Sequence, residues 1–470
     1  MPKAVERMSR VDTAWLRMDS ESNLMMIVGV WMLTPQVPYE ALCRRVEERL
    51  LKYARFRQKV VEDPVGAAWV RDDDFDLHRH VVRETVERRR GQSAQQALQE
   101  RIAELTVQPF DRAHPLWQLH LVEDLDGGSA LIARIHHCIA DGIALISVML
   151  SITDGGVSPP VKARRLDDER DWLSDAVLKP LTGMTVKAIG MYGDGVVKSM
   201  ELLSSPGQPL LGSLDLARTG YQVVTDAAAL ALMPDDSPTR LKGKPGRGKR
   251  VAWCEPVPLD EVKAVGKALD CSINDVLLAC VAGAIGSYLK AHGDDPAGKE
   301  IRAMVPVNLR PIEKAHQLGN RFGLVPLVLP IGIENPVERV HAVRRRMAEL
   351  KGSYQPLLAF ALLSVAGLLI KPVQAALLNL FAKKATAVMT NVPGPRQPLS
   401  FCGSTLKQVM FWVPQSGDIG MGVSILSYGG GVQFGLITDR KLCPQPQQII
   451  DRFGEEFEKL LLLTLMLPWD

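Results

Sequence analysis

The sequence predicts a mixed α/β fold with two hydrophobic cores. Three observations carry that prediction. A chain of 470 residues exceeds what one core usually serves. Apolar residues switch between helical and strand spacing along its length. No short-period repeat or low-complexity tract interrupts the alternation, which excludes solenoids and arrays.

In the first third, Leu42, Val46 and Leu50 keep helical spacing, as do Leu98, Ile102 and Leu105. Residues 117–123 and 129–136 alternate or run apolar as strands do, and Asp126-Gly127-Gly128 between them predicts a hairpin. Residues 152–170 combine Gly, Pro and opposed charges, which reads as a solvated connection and ends a first domain, 1–170. A helical stretch over 172–232 and a segment rich in Pro, Gly and basic residues form a linker, 171–250. In the C-terminal domain, 251–470, helices at 259–269 and 273–291 alternate with strand-like runs at 301–308, 324–331, 421–427 and 432–438.

Bulk composition narrows the function. The hydrophobic fraction of 46% and charged fraction of 23% are ordinary for a globular chain, and a net charge of +3 is too small for a dedicated nucleic-acid binder. The seven cysteines are scattered without ligand spacing, which argues against a disulfide framework or a zinc site and fits a reducing cytosol. The first ten residues hold no apolar h-region, so export is not expected. The most apolar stretch, 356–370, is shorter than the roughly 18 to 20 residues a spanning helix needs. With 373–382 it reads as a pair of apolar helices, either core or a surface that touches lipid. Between 240 and 250 stand Arg240, Lys242, Lys244, Arg247, Lys249 and Arg250, which could hold the phosphates of an anionic substrate or anionic headgroups, or simply be a solvated loop.

The segment Ile135-His136-His137-Cys138-Ile139-Ala140-Asp141-Gly142 carries the chemistry. On a strand, His137 shares its face with Leu131, Ala133 and Ile135, and His136 shares the other with Ile132 and Arg134. If the Leu/Ala/Ile face is buried, His137 is presented to an apolar interior. A neutral imidazole accepts a hydroxyl proton at cellular pH, which suits a general base. Taken alone, a histidine pair at a strand end is satisfied by local hydrogen bonds, with Asp141 as a helix N-cap. Cys138 falls on the opposite face and reads as a packed thiol. Gly142 allows a tight turn and Gly394, between two prolines, shapes a loop. Ser272-Ile273-Asn274-Asp275 has the form of a capping box, which accounts for Ser272 and Asp275 but not for Asn274.

His136, His137, Asp141 and Gly142 spell His-His-x-x-x-Asp-Gly, which resembles the signature of acyltransferases related to chloramphenicol acetyltransferase and condensation domains. Within them the chain resembles the bacterial wax ester synthase/acyl-CoA:diacylglycerol acyltransferase family. Further motifs carry the likeness: Arg10-Val11-Asp12-Thr13-Ala14-Trp15-Leu16, Arg55-Phe56-Arg57-Gln58, Pro115-Leu116-Trp117, Asn274-Asp275, Val305-Pro306-Val307-Asn308-Leu309-Arg310, Gly319-Asn320 and Thr390-Asn391-Val392-Pro393-Gly394-Pro395. Where family members often carry Pro-Met-His-Val-Gly, this chain has Met25-Met26-Ile27-Val28-Gly29, a departure that bears on acceptor preference more than on chemistry.

The resemblance implies two acetyltransferase-like domains, each a mixed sheet with helices, with the active site at their interface. It implies that His137 is the base and that no acyl-enzyme forms. It makes Asp141 structural, paired with Arg57 or, second, Arg310, and brings Asn274 near the histidine to donate to an oxyanion or orient the base. The implied substrates are acyl-CoA with a long-chain alcohol or diacylglycerol. No cofactor or metal is implied, and the location is cytoplasmic, peripheral on the inner membrane face or on lipid droplets. Two alternatives stay open: acylation of another alcohol or amine, and a catalytically silent relative that binds lipid droplets.

Overall fold

The computed structural model describes residues 5–63, 66–156, 233–309, 318–320, 322–351, 359 and 382–466. The expected helical stretch at 172–232, Arg310, and all but two residues of the apolar pair at 356–382 lie outside the described residues.

In chain order the strands are β1 (Glu6–Arg7), β2 (Met26–Thr34), β3 (Gln58–Asp63), β4 (Gly66–Arg71), β5 (Val81–Thr85), β6 (Trp117–Leu125), β7 (Gly128–His136), β8 (Lys249–Trp253), β9 (Val257–Pro258), β10 (Ile301–Asn308), β11 (Phe322–Leu329), β12 (Ala387–Pro393), β13 (Ser400–Phe401), β14 (Ser404–Trp412), β15 (Met421–Tyr428) and β16 (Gly431–Asp439). The helices are α1 (Arg10–Arg17), α2 (Tyr39–Glu48), α3 (Leu77–His80), α4 (Ala94–Leu105), α5 (Gly142–Ser151), α6 (Leu259–Ala268), α7 (Ile273–Ala291), α8 (Pro336–Lys351) and α9 (Gln447–Leu465).

Two mixed sheets organise them. The first runs β13-β14-β2-β7-β6-β5, and the second runs β11-β10-β12-β15-β16-β8 with β9 paired to β16. A small sheet, β1-β4-β3, stands apart. The β6–β7 hairpin turns through Asp126 (φ 49°) and Gly127 (φ 79°), the two left-handed residues a tight hairpin of matching twist requires. The first sheet crosses the expected division at residue 251. Its β13 and β14 come from the C-terminal half, and β14 pairs antiparallel with β2 from Thr405–Thr34 to Trp412–Val28.

Three buried clusters replace the two expected cores. One lies between α1, α2, α5 and one face of the first sheet, and another among α6, α7, α8, α9 and the second sheet. The third packs α4 and the opposite face of the first sheet against Val251, Trp253 and Ile437 of the second. The first sheet is therefore covered on both sides, and every residue of β7 is buried. Strand parity alone consequently cannot separate His136 from His137, because no face of β7 meets solvent. Trp117, expected in the core, is fully buried and donates its indole N–H to the Phe56 carbonyl at 2.9 Å. Among the described residues one helix, α7, is long and apolar enough to cross a membrane, and most of it is buried inside the protein.

Candidate active site

His137 sits one residue past β7, where the chain leaves the sheet for α5. Its backbone N–H donates to the Met25 carbonyl at 2.7 Å, and its own carbonyl accepts from the Asn320 side-chain amide at 2.8 Å. The ring stacks on Trp15 of α1, with centroids 4.0 Å apart and planes 18° off parallel, and Phe322 of β11 leans on both rings. One imidazole is thus held by α1, by the end of β7 and by the second sheet. Burial pushes its pKa down to about 3; its own backbone and, less, Asn320 pull the other way, while nearby His136 adds to the fall. The ring is neutral at cellular pH. Its Nδ1 is buried with no hydrogen-bond partner among the described residues.

His136 does different work. Its Nδ1 accepts from the Cys138 backbone N–H at 3.1 Å, so the ring proton sits on Nε2, which lies 3.3 Å from each Asp19 oxygen. Asp19 in turn accepts from the Met25 N–H at 2.7 Å and pairs with Arg112. Burial alone would raise the Asp19 carboxyl, but His136, the Met25 N–H and Arg112 together hold it below the usual carboxylate range. Asp19 thereby ties His136 to the residue whose carbonyl anchors His137. Cys138 is fully buried and its thiol pKa is pushed well up by that burial, so it is a packed, inert thiol.

Asp141 caps α5, accepting from the Ala144 N–H at 2.9 Å, and its own N–H donates to Gly319. The expected partnership with Arg57 is corrected. The Arg57 guanidinium, at the end of a short helix, lies over the Phe75 ring at 5.5 Å and makes no ion pair with Asp141. In the same motif it is Arg55 that is buried, stacked on Trp69 and paired with Glu6. Gly142 is also corrected. It is the first residue of α5 with no left-handed backbone, and a Cβ there would meet only Val413 at 3.8 Å, so no turn demands a glycine. At Gly394 a Cβ would lie 2.5 Å from the Ser427 carbonyl, which does demand one.

Asp275 and Ser272 form the expected capping box of α7. Asn274 makes no hydrogen bond to His137; its Oδ1 accepts from Asn391 of β12 at 2.8 Å. The basic segment is not assembled into one site. Arg240 pairs with Asp294 and Arg247 with Glu21. Lys242 donates to the Ala382 and Ala385 carbonyls, and Lys249 is buried against Asn23 at 2.6 Å with its pKa lowered by burial to about 8. Lys244 is exposed and Arg250 half-buried on β8. These side chains mostly fasten the segment to its surroundings.

Sequence reasoning missed Trp15, Asp12, Asp19, Asn320 and Phe322 as parts of the site. A signal existed for Asp12: it is an acid within α1, where residues 11 to 16 are all buried, and a buried carboxylate requires partners. Those partners include the backbone and side-chain N–H groups of Asn320, at 3.1 and 2.8 Å. Ile27, at the position of the histidine often found in the resembled family, lines an apolar cavity beside Gly142 and Ile135. No group of three or more His, Cys, Asp or Glu side chains among the described residues could hold a metal ion.

A buried imidazole thus stands where the two mixed sheets meet, and comparison with known proteins gives the class of protein. Residues 8–277 match the wax ester synthase/diacylglycerol acyltransferase catalytic domain and residues 318–461 the C-terminal domain of the same proteins. The chain belongs to this family and is an acyltransferase. It is 28% identical to a Mycobacterium tuberculosis protein described as a probable diacylglycerol O-acyltransferase, tgs1, over 98% of this chain and 96% of that one. It is 24% identical to the O-acyltransferase WSD of Acinetobacter baylyi, over 95% of each chain. The wax ester synthase/diacylglycerol acyltransferase of Marinobacter aquaeolei VT8 superposes with a TM-score of 0.66 at 20% identity, covering 98% of this chain and all (100%) of that one. The first condensation domain of the calcium-dependent antibiotic synthetase superposes at 0.58 and 13% identity, covering 98% and 97%.

Proposed function

We propose that the protein transfers the acyl group of acyl-CoA to a long-chain alcohol or to diacylglycerol, with His137 as general base. The observation that carries this reading is the buried imidazole stacked on Trp15, on a backbone pinned by Met25 and Asn320, because a base must be oriented before its substrate arrives. The imidazole takes the acceptor hydroxyl proton as that oxygen bonds to the thioester carbonyl carbon. The C–S bond then breaks, and the imidazolium returns the proton to the departing CoA sulfur. Atoms and charges balance with no acyl-enzyme and no cofactor, acyl-CoA being a substrate.

Burial of the site favours the step, since an oxyanion formed away from water gains more from each donor than one formed in it. Asn274 is our candidate donor from the second half. Asn391 occupies its Oδ1, which leaves its NH2 to donate, and that NH2 has no acceptor among the described residues. The apolar acceptors partition into membranes and droplets, so a cytoplasmic enzyme working peripherally on such surfaces suits the chemistry.

The test is CoA release from labelled palmitoyl-CoA with a panel of hexadecanol, diacylglycerol and short alcohols. The intact protein is expected to turn over the long acceptors, and His137→Ala to lose about 10²- to 10⁴-fold. No CoA release with any acceptor would refute the reading.

A further inference from the structure

The cavity beside the site has a shape that strand register makes explicit. It lies between the first sheet and α5, and none of its lining residues is charged. Tyr428 brings a hydroxyl, but that group already donates to the Leu406 carbonyl and accepts from the Leu399 N–H. Nothing on the wall asks for a polar ligand.

Along the sheet the wall is built in three ranks of facing residues. Ile27 pairs with Ile135 at the histidine end, Gly29 with Ala133 in the middle, and Trp31 with Leu131 at the far end. From Ile135 to Leu131 the strand advances roughly 14 Å, at about 3.4 Å per residue. The middle rank lacks bulk on both strands, so it forms a hollow. At Gly29 the missing Cβ also lets β14 close in, since one would lie 3.3 Å from the Met410 carbonyl. The far rank is the opposite: Trp31 is buried, and its ring packs edge-on against Phe401 at 5.3 Å, with the Arg45 guanidinium over Phe401. The wall is therefore narrowed by a braced indole on the side away from the base.

We propose that this cavity seats one unbranched alkyl chain, reaching from the His137 end across the Gly29–Ala133 hollow, and that Trp31 is the end stop that sets the longest chain accepted. The inference rests on the transferase reading above for the identity of the chain, which belongs either to the acyl thioester or to the alcohol. Both present the same hydrocarbon to the wall.

The experiment uses the full chain, and the parent is compared with Trp31→Ala and Ala133→Phe. Displacement of the fluorescent fatty acid cis-parinaric acid by straight-chain fatty acids of rising length measures occupancy without turnover. Two kinetic ladders, one of acyl-CoAs and one of alcohols, then identify which substrate owns the chain. Trp31→Ala is expected to move the binding optimum to longer chains, and Ala133→Phe to weaken long-chain binding at least about tenfold, since one methylene in an apolar pocket changes discrimination by about 10- to 200-fold. The kinetic ladder that shifts in parallel names the source. If Trp31→Ala does not fold, Trp31→Phe replaces it beside Ala133→Phe. Folded variants with an unchanged length profile in displacement would overturn the assignment, whatever the turnover. A shifted profile in a protein that releases no CoA would sustain the cavity and refute the transferase reading instead.

Discussion

The Asn320 amide nitrogen donates to the Asp12 carboxylate and to the His137 carbonyl, each at 2.8 Å. A residue just ahead of the second sheet thus holds both a buried acid on α1 and the backbone of the proposed base. Asn320→Ala is expected to cost about 1–3 kcal/mol, the desolvation penalty of groups left unpaired. Asn320→Asp should cost more, because it sets a second carboxylate against Asp12. Urea midpoints rank the two, and an Asn320→Ala protein as stable as its parent would remove the clamp from the argument.

The depressed pKa of His137 predicts a direction for acid sensitivity. The unfolded chain takes up this proton near pH 6.5 and the folded chain only near about 3. Between those values the unfolded state binds more protons, so stability rises with pH through that window and is level above it. His137→Asn should flatten this part of the curve. Denaturant midpoints at about pH 4.5 and 7 for parent and variant measure it, and parallel curves would contradict the assignment.

Asp19 reaches the base through its neighbour. Asp19→Asn withdraws the charged acceptor from His136 and weakens the hold on Met25, with an expected cost of about 1–3 kcal/mol. The Asp19 carboxyl titrates below its unfolded value, so its contribution is present above roughly pH 4 and fades as pH falls through the folded value. Turnover should fall while KM for acyl-CoA holds. A rise in KM alone would mean that Asp19 shapes binding rather than the base.

Away from the site, Arg339 of α8 pairs with Glu456 of α9 in the core of the second half, and Arg339 also donates to the Ala279 carbonyl of α7 at 2.9 Å. Glu456→Gln leaves a buried guanidinium without its counter-charge, an expected loss of about 3–5 kcal/mol. The paired change Arg339→Met with Glu456→Leu should recover much of it. Turnover per folded molecule should not change in either protein, which thermal melts and active-site titration together would check.

What was legible in the sequence is what depends on neighbours along the chain. The Asp126-Gly127 hairpin, the Ser272 capping box and the helix α7 follow from local spacing, and the structure has them where that spacing put them. The histidine signature was legible because its residues are contiguous. The clamp was not: Trp15, Asp19, Asn320 and Phe322 come from distant segments and meet at the His136–His137 pair only through tertiary packing. Arg57 failed for the same reason, since charge and motif position do not say which way a guanidinium turns. The place of β14 was equally hidden, because alternation identifies a strand but not its partner.

That β14 lies between β2 and β13 has a consequence for how the protein is made. Leu33 on β2 waits for Leu406, so while the chain emerges from the ribosome one side of the first sheet has open N–H and C=O groups. At about 5–20 residues per second that interval is on the order of tens of seconds. A fragment ending before residue 400 would keep this edge for good and would pair with whatever strand it met. An open edge of this kind predicts that the nascent first half is more prone to aggregate than the finished chain, and that chaperone demand during synthesis ends once β14 has docked.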